Sequence, residues 1–243
     1  MPATAIPLNP DPGTLALLAD GVTRRYGRRW ALRGANLAVR PGEVVGLEGH
    51  NGSGKSTLLR VFSTLIRATS GRASVLGHDV RERPDWVRGQ VALMTYHPGL
   101  YDDLTARENL QFAASMLGRD ASGIDAALDR VGLLRDGDER VRTFSSGMQR
   151  RLSLARLLMQ RPRVLLLDEP YNSLDRQGVA LVNEVVAEVV RGSEGGAALI
   201  VLHDRQSAGS LLDRVEVMFQ GRVEGQAEPE LPSASEMLAE LAS

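Results

Sequence analysis

Hydrophobic and polar positions follow two different periods along this chain. Residues 15–47 hold short apolar or alternating runs separated by turn residues, a pattern that is typical of β-strands. Val44–Leu47, which follows the turn Pro41-Gly42-Glu43, is a short apolar strand that enters a glycine-rich loop. We therefore predict a part built of short β-strands near the amino terminus. Its predicted strand segments are Leu15–Leu18, Arg24–Arg29 and Ala35–Val39.

Beyond the glycine-rich loop the period becomes helical. Apolar residues recur at Leu58, Leu59, Phe62 and Leu65, which predicts a helix over Lys55–Leu65. After further strands at Ala73–Leu76 and Val91–Met94, Thr105 and Glu108 have the spacing of a capping box at the start of another helix. Helical periodicity then continues, so we predict an inserted helical subdomain over about 98–150.

The second half of the chain alternates strands and helices. Val164–Leu167 is a continuous apolar run, as expected for a parallel strand that is covered on both faces. Val179–Val190 has the apolar spacing of a helix, and Leu199–Leu202 is another candidate buried strand. This alternation predicts an α/β fold with a mainly parallel sheet.

The predicted domain organisation is simple. Four prolines in residues 1–14 indicate a mobile leader, residues 15–225 form one domain, and residues 226–243 form a tail. No apolar run approaches the roughly 18–20 residues that would span a bilayer. We therefore expect a cytoplasmic protein unless another subunit holds it at a membrane.

Composition excludes several kinds of site. The chain of 243 residues has no cysteine, which excludes disulfides and thiolate metal sites, and its formal charge of −1 argues against a nucleic-acid partner. Of the 29 basic residues, only Lys55 is a lysine. Because every other basic residue is arginine, this lysine is expected to have a role that arginine does not fill.

Lys55 belongs to the strongest motif, G-x-x-x-x-G-K-[ST], which residues 49–56 match at every fixed position. Glycine-rich backbone at a helix amino terminus binds phosphate, the lysine reaches the β- and γ-phosphates, and Ser56 supplies a hydroxyl to Mg²⁺. For His50 we expect a backbone contact rather than chemistry. The predicted nucleotide-binding residues here are Gly49, His50, Asn51, Gly52, Ser53, Gly54, Lys55, Ser56 and Thr57.

A pair of acids ends the predicted strand at Val164–Leu167. Ligands of α/β proteins bind at the carboxyl ends of the strands, so Asp168 and Glu169 are placed to act on a nucleotide. We predict that Asp168 holds Mg²⁺, directly or through water, and that Glu169 orients and polarises the attacking water.

A third motif is the sequence Phe144-Ser145-Ser146-Gly147-Met148-Gln149 at the start of a predicted helix. Ser145, Ser146 and Gly147 would form a second anion-binding helix start. One chain does not need two such sites for one γ-phosphate, so we predict that this site serves the nucleotide of a second chain.

In these motifs and their order the chain resembles the ATP-binding subunits of ABC transporters. The resemblance implies an α/β fold with a RecA-like P-loop NTPase core, an antiparallel β subdomain and the inserted helical subdomain. It also implies ATP and Mg²⁺ as cofactors, a head-to-tail homodimer or heterodimer with ATP at the interface, and a separate transmembrane permease. The subunit would lie peripherally on the inner face of the cell membrane.

The resemblance also implies roles for individual residues. Glu169 would be the general base, His203 would contact the γ-phosphate, and Tyr26 would stack on adenine, although Trp30 is a nearby competitor. Ser173-Leu174-Asp175 matches the family's D-loop. Arg150, Arg151 and Arg156 follow the third motif, and we interpret them as a solvated helix face, with a role at the nucleotide interface as the alternative.

One position departs from the family pattern. Where the family carries a glutamine that touches Mg²⁺, this chain has Tyr96 or, with a shift of one residue, His97. Neither offers an amide oxygen, which puts that metal contact in doubt. In two features the chain is similar to haem-exporter ATPases of cytochrome c maturation. It has a histidine in this segment, and Tyr171 directly follows Asp168-Glu169-Pro170. ATPases of drug, antibiotic or lipid exporters share most of these features and are the alternative, and a non-transport ABC ATPase fits the length and charge less well.

Overall fold

The computed structural model describes residues 15–97, 99–192 and 196–227. The predicted leader and the predicted tail beyond Ala227 lie outside the described residues. The strands are β1 (Leu17–Tyr26), β2 (Arg29–Val39), β3 (Val44–Glu48), β4 (Ser70–Val75), β5 (His78–Asp79), β6 (Val91–Met94), β7 (Val164–Asp168), β8 (Ala197–Val201), β9 (Arg214–Phe219) and β10 (Arg222–Ala227). The helices are α1 (Lys55–Phe62), α2 (Pro84–Gln90), α3 (Ala106–Met116), α4 (Ile124–Arg130), α5 (Ser146–Gln160) and α6 (Arg176–Gly192).

The amino-terminal strands form an antiparallel sheet with the order β2-β1-β4-β5. The antiparallel β subdomain is therefore confirmed, but the predicted segment Arg24–Arg29 is wrong as a strand. The chain reverses within it, because Gly27 adopts a φ of 56° and β1 pairs with β2 from Tyr26 opposite Arg29. Basic residues on both sides of the turn hide this reversal in the hydrophobic pattern.

A second, six-stranded sheet has the order β10-β9-β3-β8-β7-β6 and is parallel except for the pair β9–β10. All residues of β7 and β8 are buried. One apolar cluster joins a face of this sheet to α1 and the antiparallel sheet, and another joins the opposite face to α3, α4, α5 and α6. The carboxyl ends of β3, β6, β7 and β8 meet at one edge, where ligands of parallel sheets bind.

Helix α1 is shorter than predicted. It ends at Phe62, Thr64 adopts a φ of 65°, and Leu65 is 63% exposed instead of lying on the buried face. A residue in the left-handed conformation ends the helical hydrogen-bond pattern, which the apolar spacing does not reveal.

The predicted capping box at the start of α3 is confirmed. The Thr105 hydroxyl accepts from the Glu108 N–H at 3.1 Å, and the Glu108 carboxylate accepts from the Thr105 N–H at 2.8 Å. Helices α3 and α4 and the start of α5 lie in the stretch predicted as a helical subdomain and share one apolar cluster. Across the described part of the chain, we find no helix with the length and apolar character needed to cross a membrane.

Candidate functional site

The loop between β3 and α1 has the backbone geometry that its glycines were predicted to allow. Gly49, Gly52 and Gly54 have φ values of 144°, 82° and 115°, which side-chain-bearing residues rarely adopt. A Cβ at Gly49 would lie 2.1 Å from the Met218 carbonyl oxygen of β9, so this turn is also closely packed. The Ser53 hydroxyl is buried with no hydrogen-bond partner among the described residues.

Lys55 opens α1 and is only 5% exposed. Its ammonium donates to the carbonyl oxygens of Gly49 at 2.5 Å and His50 at 3.2 Å. Burial lowers the pKa of Lys55, and the carboxylates of Glu169 and Asp168 partly oppose that shift. The lysine therefore lies inside the loop, with the two acids of β7 close enough to act on its charge.

Asp168 is the last residue of β7 and is 5% exposed. Burial raises its pKa, while a hydrogen bond from the Ser56 side chain lowers it. The Ser56 hydroxyl and the Asp168 carboxylate thus meet beside the phosphate loop. A bound cation would offset the free-energy cost of burying the carboxylate. Mg²⁺ is typically held by one or two carboxylates together with phosphate and water oxygens, so the donor set fits Mg²⁺. The described residues contain no group of three or more His, Asp or Glu that would hold a metal without such oxygens.

Glu169 is held in place on both its side chain and its backbone. His203 Nε2 lies 2.6 Å from one carboxylate oxygen, and the Asn172 amide donates to the other at 2.7 Å. The backbone of Glu169 is left-handed, with a φ of 53°, and its N–H donates to the Val201 carbonyl oxygen of β8 at 3.2 Å. The predicted acid and the predicted histidine, which come from neighbouring strands, are therefore in direct contact.

Tyr26 ends β1 and is 44% exposed. The Arg24 guanidinium lies 4.5 Å from the centre of its ring. The same hairpin borders the phosphate loop, because a Cβ at Gly54 would lie 2.6 Å from the carbonyl oxygen of Ala31 in β2. Trp30, the competing aromatic residue, is 39% exposed and lies beside the Arg25 guanidinium instead.

The serine-glycine motif opens α5 as predicted. Ser145 caps the helix by accepting from the Met148 N–H at 3.3 Å, and a Cβ at Gly147 would lie 2.9 Å from the Ser173 carbonyl oxygen. Arg151 donates to both carboxylate oxygens of Asp175, at 2.7 and 2.8 Å. This helix start and residues 173–175 line an open groove of about 570 Å³, to which no described residue of the phosphate loop contributes. The second predicted anion site is thus separate from the first.

The family model described as "ABC transporter" matches residues 32–172. The chain belongs to the ABC transporter ATP-binding family. The resemblance seen in its motifs is thereby confirmed, and such domains bind ATP.

Relatives of this ABC ATP-binding chain include a resistance protein and an export protein by name. The daunorubicin resistance ATP-binding protein DrrA3 of Streptomyces coeruleorubidus is 41% identical over 212 residues, which cover 86% of this chain and 66% of that protein. The cytochrome c biogenesis ATP-binding export protein CcmA 2 of Cupriavidus metallidurans is 40% identical over 193 residues, which cover 78% of this chain and 90% of that protein. This chain spans just under two thirds of the length of the drug-resistance relative.

Solved structures confirm the ABC ATPase fold. An ATP-binding subunit of an ABC transporter superposes with a TM-score of 0.80 at 26% identity, covering 95% of this chain and 100% of that one. A dimeric post-hydrolysis form of the ATP-binding cassette MJ0796, bound to ADP and Pi, superposes with a TM-score of 0.77 at 25% identity. The match covers 87% of this chain and 98% of that one.

Sequence reasoning missed some residues of this ABC site. The Asn172 contact with Glu169 was not predicted. Glu48, which precedes the phosphate loop, forms a two-pronged ion pair with Arg205 at 2.6 and 2.7 Å, which ties the loop to the segment after His203. No pattern in the sequence points to this pair, because the two residues are 157 positions apart.

The interpretation of the arginines after Gln149 as a solvated face is wrong for Arg150, which is 4% exposed. A signal was present, since Arg150, Leu154 and Leu157 share helical spacing and the two leucines are buried. Arg156 donates to the Gly99 carbonyl oxygen at 2.6 Å. Tyr96 is 55% exposed and contacts the His97 ring, and which of them replaces the family's glutamine stays a prediction.

Proposed function

We propose that this chain is the ATP-hydrolysing subunit of an ABC exporter and works with a separate transmembrane permease. The observation that carries the proposal is the Glu169 carboxylate, which His203 and Asn172 hold beside Asp168 at the end of β7. A nucleotide-binding protein without turnover does not need an acid fixed in this way. The loop at residues 49–54 supplies the phosphate site next to it.

ATP binding follows from the geometry of the loop and the hairpin. Backbone N–H groups of the glycine-rich loop and the amino terminus of α1 attract the phosphates. The Lys55 ammonium, which donates to two loop carbonyls, would exchange them for β- and γ-phosphate oxygens when ATP binds. The exposed ring of Tyr26 beside the loop offers a stacking face to adenine.

Hydrolysis requires a water aligned with the bond between the β- and γ-phosphates. Glu169 accepts a proton from this water as its oxygen bonds to the γ-phosphorus and the bond to the leaving ADP oxygen breaks. The products are ADP and phosphate, and the proton passes from Glu169 to phosphate or solvent. His203 orients the carboxylate and contacts the γ-phosphate, and Lys55 offsets the charge that develops on it.

Ser56 and Asp168 would hold Mg²⁺ at this site. When bound, Mg²⁺ neutralises charge on the β- and γ-phosphate oxygens.

A second copy would complete each site. The start of α5, at Ser145, Ser146 and Gly147, faces an open groove away from the chain's own phosphate loop. A head-to-tail dimer would bring this start onto the γ-phosphate of the partner's ATP. The MJ0796 cassette, which is dimeric with bound ADP and Pi, supports the dimeric part of this proposal.

The substitution Glu169→Gln tests the proposal because it keeps the size and shape of the side chain and removes its basicity. We expect ATP hydrolysis to fall by at least about 100-fold, the scale of a lost general base, while ATP affinity persists. Glu184→Gln, the same change at an exposed position of α6, is the matched control. Unchanged phosphate release by Glu169→Gln, or absence of ATP binding by the wild type, would refute the proposal.

Export of a drug or antibiotic is the first candidate process, supported by the 41% identity to DrrA3. Haem export for cytochrome c biogenesis is the second, supported by a relative named CcmA 2 that this chain matches over 90% of its length. In either process the subunit would lie peripherally on the inner face of the membrane. Reconstitution with each kind of membrane subunit separates them, because only the true permease should co-purify with this chain and stimulate its ATPase activity.

A further inference from the structure

Arg150 is a buried cation at the carboxyl ends of β6 and β7. It lies on α5, one turn after the serine-glycine motif, and is 4% exposed. Burial lowers the pKa of Arg150, and the charge of Glu169 opposes this shift most strongly. A buried arginine is costly unless its donors are used, so its hydrogen-bond partners indicate its role.

The guanidinium donates to two backbone carbonyl oxygens from different loops. One is that of Thr95, directly after β6, at 2.8 Å, and the other is that of Glu169, directly after β7, at 3.2 Å. Strands β6 and β7 are neighbours in the parallel sheet, and Arg150 therefore bridges the ends of both. A planar fork with several N–H groups can serve two carbonyls at once, which a single ammonium cannot do as well.

The second carbonyl belongs to a residue with unusual backbone geometry. Glu169 has a φ of 53°, which few residues other than glycine adopt, so the surrounding contacts must hold it there. On one side its N–H donates to Val201, and on the other its carbonyl accepts from Arg150. The direction of the Glu169 carboxylate depends on this backbone.

Simple packing explains these contacts less well. Arg150 lies on the same buried face of α5 as Leu154 and Leu157. An apolar side chain at this position would pack there without burying a charge. The contacts made by the charge are with the loop carrying Glu169 and with the loop that leads from β6 towards α3.

We infer that Arg150 is a positioning residue that fixes the backbone of Glu169 against the end of β6 and so aims its carboxylate at the attacking water. This inference rests on the proposed hydrolysis of ATP by Glu169. Helix α5, which would present Ser145 to a partner subunit, would therefore also position Glu169 of its own subunit.

The test compares Arg150→Met, which keeps length and apolar packing but removes every donor, with Arg150→Lys and the control Arg130→Met. Arg130 lies on α4, where it pairs with Glu188 outside the site. We expect Arg150→Met to lower kcat for ATP hydrolysis at least about 10-fold with KM within about threefold, because misplacing a reacting group impairs turnover more than binding. Arg150→Lys should give an intermediate kcat, and Arg130→Met should match the wild type.

A second comparison places Arg150→Met in the Glu169→Gln background. If Arg150 acts through Glu169, the residual hydrolysis should fall less than about twofold further, since coupled residues are non-additive. An equal loss in both backgrounds, or a wild-type kcat for folded Arg150→Met, would overturn the inference. If Arg150→Met does not fold, Arg150→Lys decides, and wild-type kcat in that variant would overturn the inference.

These outcomes are distinct from failure of the proposed function. Absence of ATP binding and hydrolysis in the wild type would refute the proposed function, and the inference with it. Full wild-type hydrolysis that depends on Glu169 but not on Arg150 would refute the inference alone.

Discussion

Arg214 pairs with two acids at the amino-terminal ends of β3 and β9. In β9 it donates to Glu43 at 2.6 Å and contacts the carboxylate of Glu216 and the carbonyl oxygen of Ala38. The three charged side chains are only 9%, 12% and 8% exposed. Glu43 directly precedes β3 and Arg214 begins β9, so this cluster joins the amino-terminal ends of two paired strands, while Met218 of β9 packs on Gly49 at their other end.

The substitution Arg214→Met would keep the side-chain length and leave the two carboxylates buried without their cation. Removing one partner of a buried ion pair costs about 3–5 kcal/mol, because the remaining charge is uncompensated. We expect at least that range here, since one guanidinium serves two acids. Such a loss is a large fraction of the roughly 5–15 kcal/mol that stabilises a domain.

Urea denaturation followed by circular dichroism measures this loss in the free energy of unfolding. Arg130→Met is the control, because its pair with Glu188 is 37% and 57% exposed and such pairs contribute only about 0.2–1 kcal/mol. A loss below about 1 kcal/mol for Arg214→Met, with an unchanged dependence on urea, would refute the reasoning.

The loss in the free energy of unfolding caused by Arg214→Met should also depend on pH. Burial raises the pKa of Glu216, and Arg214 opposes that shift, so removing Arg214 raises this pKa further. The folded variant then binds the Glu216 proton more tightly than the unfolded chain does, and its stability falls as the pH rises through the folded pKa. The deficit of Arg214→Met relative to the wild type should therefore be smaller at pH 5 than at pH 8.

Three further predictions concern the phosphate loop and the capping box. Lys55→Arg should lower ATP hydrolysis about 100-fold or more in a phosphate-release assay, because a planar guanidinium does not replace a compact ammonium in the loop; normal turnover would contradict this role. Gly49→Ala should abolish ATP binding, measured by equilibrium dialysis, because its Cβ would lie 2.1 Å from the Met218 carbonyl oxygen; retained affinity would show that the turn can shift. Thr105→Ala should reduce the free energy of unfolding by about 1 kcal/mol in urea denaturation by removing the cap that Thr105 shares with Glu108, and an unchanged midpoint would contradict the prediction.

Local patterns were sufficient for the parts of the fold that depend on local chemistry. The apolar run Val164–Leu167 predicted a buried parallel strand, and the Thr105–Glu108 spacing predicted a capped helix, because both signals lie within a few residues. The end of α1 escaped prediction, since the left-handed Thr64 carries no side-chain signature. The turn at Gly27 was masked by the surrounding arginines.

In the candidate site, too, local motifs could be predicted from the sequence and contacts between distant residues could not. Motif spacing was enough to nominate Lys55, Asp168 and Glu169, whereas His203 and Tyr26 needed the resemblance to a family. The contacts that position Glu169 could not be read from the sequence. Asn172 and Arg150 reach it through a turn and through packing between elements, which depend on the folded chain.

In the proposed mechanism, Glu169 is the base for hydrolysis of ATP that is held between two copies of this chain. Light scattering of purified Glu169→Gln with saturating MgATP tests it most directly, because blocked hydrolysis should trap the closed state. We predict a species of twice the monomer mass that returns to monomer when ATP is replaced by ADP. A Glu169→Gln protein that has ATP bound and remains monomeric, or that releases phosphate at the wild-type rate, would contradict it.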